Sequence, residues 1–262
     1  MELYIYTKKH HMKLSKNNSL ILLHIIILIW GFTGILGKLI DLSSEAIVWN
    51  RMTIAFMALF IINQFKFNNI KPTINNVLLY CGIGILIAIH WITFFESIKL
   101  STISLALICL SSISLFTAIL EPIIQKRKII FYEIGLSIFV IIGIAIVFNY
   151  ESNYTTAIIL SIISAFFAAL FTVLNHKLIQ NNHQSLSITT WEMFGGAIAT
   201  SLYLLLSNKF NTSILPIDND ILYTLILSLI CTAFAFYGSI EVMKKITPFT
   251  VNLSVNLEPI YS

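Results

Sequence analysis

Ser101–Glu133 reads STISLALICLSSISLFTAILEPIIQKRKIIFYE, and the fold turns on this stretch. It opens with about 20 residues that are apolar or small and carry no charge, the length of α-helix that crosses a bilayer core. Glu121 is its first charged residue, and it closes on Lys126-Arg127-Lys128. An apolar span followed by basic residues is how a helix reads when it stops on the cytoplasmic side. A related stretch, Thr247–Ser262 (TPFTVNLSVNLEPIYS), stands near the end of the sequence. A crossing unit and its second copy predict a polytopic membrane protein built as a repeat, its second copy incomplete.

Composition points the same way. Apolar residues make up 57% of the 262 residues and charged residues 11%, with a mean hydropathy of +0.87. A soluble domain carries roughly 25% charged residues, so most of this surface must face lipid. Cys81, Cys109 and Cys231 all lie inside apolar runs. They read as buried small hydrophobes, without the paired spacing of disulfides or metal sites.

Working outward, residues 1–18 are polar and basic, with Lys8, Lys9, Lys13 and Lys16. Met12 opens a natural-looking start, MKLSKNN. The apolar run 19–40 is too long for a secretory signal and lacks a small-residue cleavage site, so it reads as a retained helix. Predicted helices follow at 19–40 (α1), 46–64 (α2), 76–98 (α3), 103–124 (α4), 131–149 (α5), 155–176 (α6), 186–207 (α7), 221–241 (α8) and from 248 onward (α9). Every connection is short.

Charge predicts the orientation. With the N-terminus inside, the cytoplasmic loops hold Lys66, Lys71, Lys126, Arg127, Lys128, Lys177, Lys244 and Lys245. The opposite side keeps Lys99 and Lys209 and collects Asp41, Glu45, Glu151, Asp218 and Asp220. All loops agree with one alternating topology.

The halves also resemble each other. Phe32–Ile40 and Phe171–Ile179 share five identities in nine positions, including Phe-Thr and Lys-Leu-Ile. Trp49 in α2 answers Trp191 in α7, and Leu79-Tyr80 in α3 answers Leu222-Tyr223 in α8. A unit of five helices is odd, so the second copy must enter the membrane inverted, an architecture of secondary transporters. The expected fold is therefore an all-α membrane protein of two five-helix inverted repeats: 19–149, and 155–262 cut short within α9. On this reading the sequence is a fragment of a ten-helix protein.

Several features together resemble the EamA-type carriers of the drug/metabolite transporter superfamily. They are Trp30-Gly31, Arg51, Ser114-Leu-Phe-Thr-Ala-Ile-Leu leading to Lys126-Arg127, Gly135, Gly143, and Asn256-Leu-Glu258-Pro259. The family's pattern has proline where Ser114 stands and Glu-Arg where Lys126-Arg127 stands. Leu-Glu-Pro-Ile recurs at 120–123 and 257–260, but in the family's register Pro259 corresponds to Ser114. The resemblance implies a carrier of small organic solutes in a bacterial inner membrane, with a cavity lined by α1, α3, α4, α6, α8 and α9. Export of a metabolite such as an amino acid or drug-like solute is the expected activity.

Polar groups at membrane depth are costly and often mark a pathway. Arg51 could hold an anionic substrate group, or snorkel to the interface, or pair with Glu45 or Glu96. Glu258, with Asn252 and Asn256 before it, could carry a proton; equally, the cluster could repair a kink at Pro259. Glu192 and Arg51 could form a gating pair across the repeat. Trp30, His90 and Trp91 could wall a substrate site, His90 alternatively being a buried histidine with a hydroxyl partner. His24 reads as a structural hydrogen-bond donor, and Glu121 and Glu241 as interfacial. Ser111, Ser112 and Thr117 could bind substrate hydroxyls, although such groups in membrane helices often bond their own backbone. The stripe Ser161, Ala165, Ala169 reads as helix packing, and Gly31, Gly34 and Gly37 as packing or a flexible gate.

Rival classes have less support. A membrane-embedded enzyme acting on a lipid-like substrate would need chemistry for which no HExxH, GxSxG or nucleotide loop is visible. A non-transporting scaffold or sensor would need an appended receiver. A channel would need a filter-like segment. The expected partners are a small-molecule substrate and the lipid bilayer, with proton coupling and a homodimer both compatible. No cofactor, metal or nucleic acid is expected.

Overall fold

The computed structural model describes residues 15–65, 72–150 and 152–261. The expectations placed on Lys8, Lys9, Met12, Lys13, Lys66, Lys71, Glu151 and Ser262 lie outside the described residues. Among the described residues nine helical spans follow one another, with no strand between them. They are α1 Lys16–Leu39, α2 Ser44–Phe65, α3 Ile74–Leu100, α4 Ile103–Gln125, α5 Phe131–Tyr150, α6 Thr155–Gln180, α7 Ser185–Leu206 and α8 Asn219–Val242, then α9 in two pieces, Pro248–Val255 and Glu258–Tyr261.

Six of these, α1, α2, α3, α4, α6 and α8, are long and apolar enough to cross a membrane. The nine spans read from sequence are thus all helical, but three do not meet that measure. α7 is diluted by its own Ser, Thr, Gly and Glu192 residues. The described apolar part of α5 is short, Phe131–Ile146, and α9 is broken. Large apolar side chains on the outer faces, such as Ile61, Leu78, Phe139 and Leu206, are exposed. This is the surface of a multi-pass membrane protein, where lipid takes the place of water.

Local chemistry sets the helix starts. Ser15, Thr73, Thr102 and Thr247 each cap a helix, their side chains accepting a backbone N–H three residues on. Such caps satisfy donors that have no partner within the helix. α4 breaks at Ser111-Ser112, where backbone bonds tighten to an i−3 pattern. α9 breaks the same way at Asn256-Leu257, and Pro259 has no N–H with which to continue the ladder.

The core is built on close crossings. A Cβ added at Gly84 in α3 would sit 2.0 Å from the Glu192 carbonyl oxygen in α7, and one at Gly195 would sit 2.3 Å from the Cys81 Cα. The two backbones touch there, as small residues permit. The stripe Ser161, Ala165, Ala169 is fully buried, with Ser161 Oγ 2.8 Å from Ser97 Oγ of α3 and donating to Ala106 O of α4. Helix packing is therefore its role. Gly34 and Gly37 of α1 lie against Ile103 and Phe95.

Polar ties at the two ends agree with alternating helix directions. At the acidic end Lys209 pairs with Glu45 at 2.6 Å, Asp41 N–H donates to Asp220, Ser44 donates to Glu96, and Lys99 reaches Leu42 O. At the basic end Glu121 accepts from Phe249 N–H, at the start of α9, and lies 3.2 Å from Arg127 Nε. Arg127 also bonds Glu133 of α5. Glu121 is 1% exposed, which corrects its expected interfacial place: α4, α5 and α9 close over it. Glu241 pairs at the surface with Lys244.

The crossing of α3 and α7 predicts a graded glycine series. Gly84→Ala and Gly195→Ala each destabilise by about 1–3 kcal/mol, the cost of overpacking. Gly82→Ala and Gly143→Ala, with nothing within 4 Å of the added carbon, leave the protein unchanged or slightly more stable. Thermal melts in detergent or nanodiscs check the order.

Candidate functional site

The site begins with a break in regular helix. Leu229–Phe234 of α8 winds as a π-helix, and Thr232 Oγ1 donates to Leu227 O, five residues back. A wider turn displaces carbonyls from the α-helical ladder. Cys231 O accepts from the indole of Trp30 at 3.2 Å and from Arg51 Nη2 at 3.4 Å. Arg51 Nε bonds Thr232 Oγ1.

Arg51 is 1% exposed, and its guanidinium lies over the Trp91 ring, 3.7 Å from the centroid. Cation–π contact of this kind holds a charge where water is absent. The expected snorkelling, or pairing with Glu45 or Glu96, is overturned. Glu45 is taken by Lys209 and Glu96 by Ser44, while α3 and α8 cover Arg51 on the inner side.

These groups border a cavity of about 80 Å³, which reaches from Arg51 and Trp30 toward the basic end of the molecule. That is room for several waters. α1 contributes Trp30 and Thr33; α2 contributes Arg51; α3 contributes His90, Trp91 and Phe94; α4 contributes Leu110 and Ile113. Phe171, Thr172 and Asn175 come from α6, Phe236 and Ser239 from α8, and Asn252, Val255 and Glu258 from α9. The walls are largely aromatic: Trp91 meets Phe236 edge-on at 6.0 Å, and Phe171 meets Phe236 at 5.7 Å.

His90 is held by a hydroxyl partner, as one of its two readings anticipated. Ser164 Oγ donates to His90 O, and His90 Nδ1 lies 3.0 Å from Ser164 O. Ser164 Oγ also lies 2.7 Å from His90 Nδ1, so the imidazole is fixed at that nitrogen by α6.

Glu258 follows the break in α9 and is 6% exposed, its carboxyl on the cavity wall. It interacts electrostatically with Arg51 across the cavity without closing to an ion pair. The kink at Pro259 is present, but the nearby amides do not repair it: Asn252 donates to Thr117 Oγ1 at 2.7 Å, and Asn256 Oδ1 is buried with no partner among the described residues.

The remaining sequence candidates lie off the cavity. Ser111, Ser112 and Thr117 donate to Leu107 O, Cys109 O and Ile113 O of their own helix. The two serine hydroxyls answer carbonyls at the break in α4, while Thr117 Oγ1 also accepts from Asn252 of α9. Asn256 stands outside the lining. Glu192 is fully buried beside Asn175 and does not meet Arg51, so the expected Arg/Glu gating pair is not formed. α7 turns Glu192 toward α6 and α3. His24 is exposed, 3.5 Å from Tyr261 Oη.

Sequence reasoning passed over Thr33, Phe94, Phe171, Thr172, Asn175, Phe236 and Ser239. The signal for two of them was present: Thr33 and Thr172 are the matched threonines of Phe32-Thr33 and Phe171-Thr172.

The profile of the EamA-like transporter family matches residues 17–149 and 155–262. A search of curated proteins finds no match. A solved crystal structure of another protein, 14% identical, aligns with 94% of this chain and 86% of its own, with a TM-score of 0.71. That likeness concerns the fold alone.

Arg51→Lys keeps the charge but loses the planar fork and the stacking on Trp91. It lowers stability by about 1–3 kcal/mol, as loss of a buried hydrogen-bonded charge does. Ser111→Ala stays within about 0.5 kcal/mol, because its hydroxyl only decorates its own turn. Thermal melts of the two variants check the contrast.

Proposed function

The chain belongs to the EamA-like transporter family, and on that premise we propose that it is a secondary carrier moving a small organic solute by alternating access. One observation carries this reading. A cavity walled by aromatic rings, holding a buried arginine and a buried carboxyl, lies among α1, α2, α3, α4, α6, α8 and α9, its lining running from Arg51 and Trp30 to Asn175 and Met243 near the basic end. The other end is tied by Lys209–Glu45, Asp220 and Lys99. This arrangement supports a carrier whose site opens to the basic side.

The finer architecture we propose is a ten-helix fold of two inverted five-helix repeats, to which α1–α9 correspond. Matching features support it. Thr102 caps α4 as Thr247 caps α9, and each cap is followed by an eight-residue helix, Ile103–Leu110 or Pro248–Val255. Each then breaks, at Ser111-Ser112 or Asn256-Leu257. In this register Ser114 corresponds to Pro259. The cavity walls pair likewise: Trp91 with Phe236, Phe94 with Ser239, Leu110 with Val255, and Ile113 with Glu258. Helix neighbours also exchange consistently, α3 on α6 and α7 answering α8 on α1 and α2. A solute site near the midplane between such halves is the expected consequence.

The basic end is assigned to the cytoplasm of a bacterial inner membrane, with the N-terminus inside, on the distribution of Lys and Arg. Glu258 is the candidate proton carrier and Arg51 the candidate substrate contact, with Trp30, His90, Trp91 and Asn252 lining the same space. Metabolite export is the proposed physiological direction.

The test is counterflow in proteoliposomes loaded with amino acids, carboxylates or drug-like cations. Labelled solute accumulates with the unmodified protein, and Arg51→Gln abolishes accumulation while the fold survives by circular dichroism. Absence of counterflow for every solute, with or without a pH gradient, would falsify the carrier reading.

A further inference from the structure

Two charges share the cavity, and among the described residues neither has a close counter-ion. Arg51 comes from α2 and Glu258 from α9; they attract one another across the space but do not pair. Arg51 Nη1 is buried with no hydrogen-bond partner among the described residues. Its other nitrogens are committed to Thr232 and Cys231. The Glu258 carboxyl makes no hydrogen bond among the described residues. The cavity therefore offers one free cationic donor and one carboxyl within a wall of aromatic rings.

Other ionisable groups are few around Glu258. α3 presents His90, whose Nδ1 is bonded to Ser164. α8 presents the Cys231 thiol beside Arg51. One turn further along α9, Tyr261 lies near His24 of α1. α4 and α6 contribute no ionisable residue to the wall.

We propose that this cavity binds small organic anions together with a proton: the acid group of the solute takes Arg51 Nη1, and Glu258 accepts one proton as it does so. The proposal rests on the carrier reading and specifies its substrate class. The physical reason is neutrality. Net charge in a space enclosed by lipid-embedded helices is expensive. With Glu258 ionised, Arg51 is balanced and the empty cavity is neutral. With an anion on Arg51, the cavity is neutral only when Glu258 is protonated. The two mixed states, anion with ionised Glu258 and no anion with protonated Glu258, carry one unbalanced charge each. Anion and proton therefore enter and leave together, the anion competing with Glu258 for a single guanidinium. No covalent bond changes apart from the O–H formed on Glu258. The aromatic walls suit a flat or apolar body behind the acid group.

The test is calorimetry on the purified protein in nanodiscs with benzoate, phenylacetate and hexanoate as probes, each in two buffers of different ionisation enthalpy. Comparing the buffers counts protons taken up per anion bound. Above the pH range where Glu258 of the empty cavity releases its proton, the expected result is about one proton per anion and an affinity that falls about tenfold per pH unit. Glu258→Gln should bind the same probes with no proton uptake and no such pH slope. Arg51→Gln should lose binding, and His24→Gln, at a histidine outside the cavity lining, should keep both binding and proton uptake.

Binding to unmodified protein without proton uptake in that pH range would overturn the proposal, as would uptake that persists in Glu258→Gln or disappears in His24→Gln. Failure of all three carboxylates to bind would also overturn it. So would a zwitterion such as phenylalanine binding well and weakening in Glu258→Gln, since Glu258 would then hold an ammonium. Proton-linked binding without movement across proteoliposome membranes would instead sink the carrier reading and leave the site assignment standing.

Discussion

Within the hydrocarbon layer every backbone N–H and C=O must find its partner inside the protein, and this constraint governs where the chain can depart from helix. It departs at Ser111-Ser112, at Asn256-Leu257 and through the π-turn of α8. All three lie in helices that wall the cavity. At each, side chains or altered ladders answer the displaced carbonyls: serine hydroxyls in α4, Trp30 and Arg51 at Cys231. The irregular backbone and the polar site are thus one structure. A break facing lipid would be costly, whereas one facing an enclosed polar space supplies acceptors to it.

The same constraint explains the setting of Arg51. A guanidinium needs five donors satisfied or solvated, and the bilayer offers no water to do so. α8 supplies a carbonyl and a hydroxyl, and α3 supplies the face of Trp91. Glu258 adds opposite charge from α9. The cation is held by contributions from three helices, and so the position of each depends on the others.

The fold was legible because lipid imposes a coarse rule: apolar length gives a crossing, and Lys and Arg give its ends. Both signals are additive along the chain, and the nine predicted spans correspond to the nine observed within a few residues. The site was less legible because burial depends on which face of a helix meets which neighbour. Arg51 read as interfacial from its distance along α2, yet the π-turn in α8, invisible to hydropathy, brings acceptors to it. Ser111 and Ser112 had the chemistry of a binding surface but bond their own backbone, and Thr117 bonds its own backbone and Asn252. Glu192 had the expected repeat position, but α7 turns it toward α6. Trp30, His90, Trp91, Asn252 and Glu258 were found because polar and aromatic groups at membrane depth are rare enough to stand out.

The contact between Gly84 and Glu192 O, and between Gly195 and Cys81, has a mechanical meaning. Where two backbones touch without intervening side chains, a slide of one residue would drive a Cβ into a carbonyl. α3 and α7 therefore resist sliding past one another, and of the two only α3 walls the cavity, so the crossing fixes that wall from outside the space it encloses.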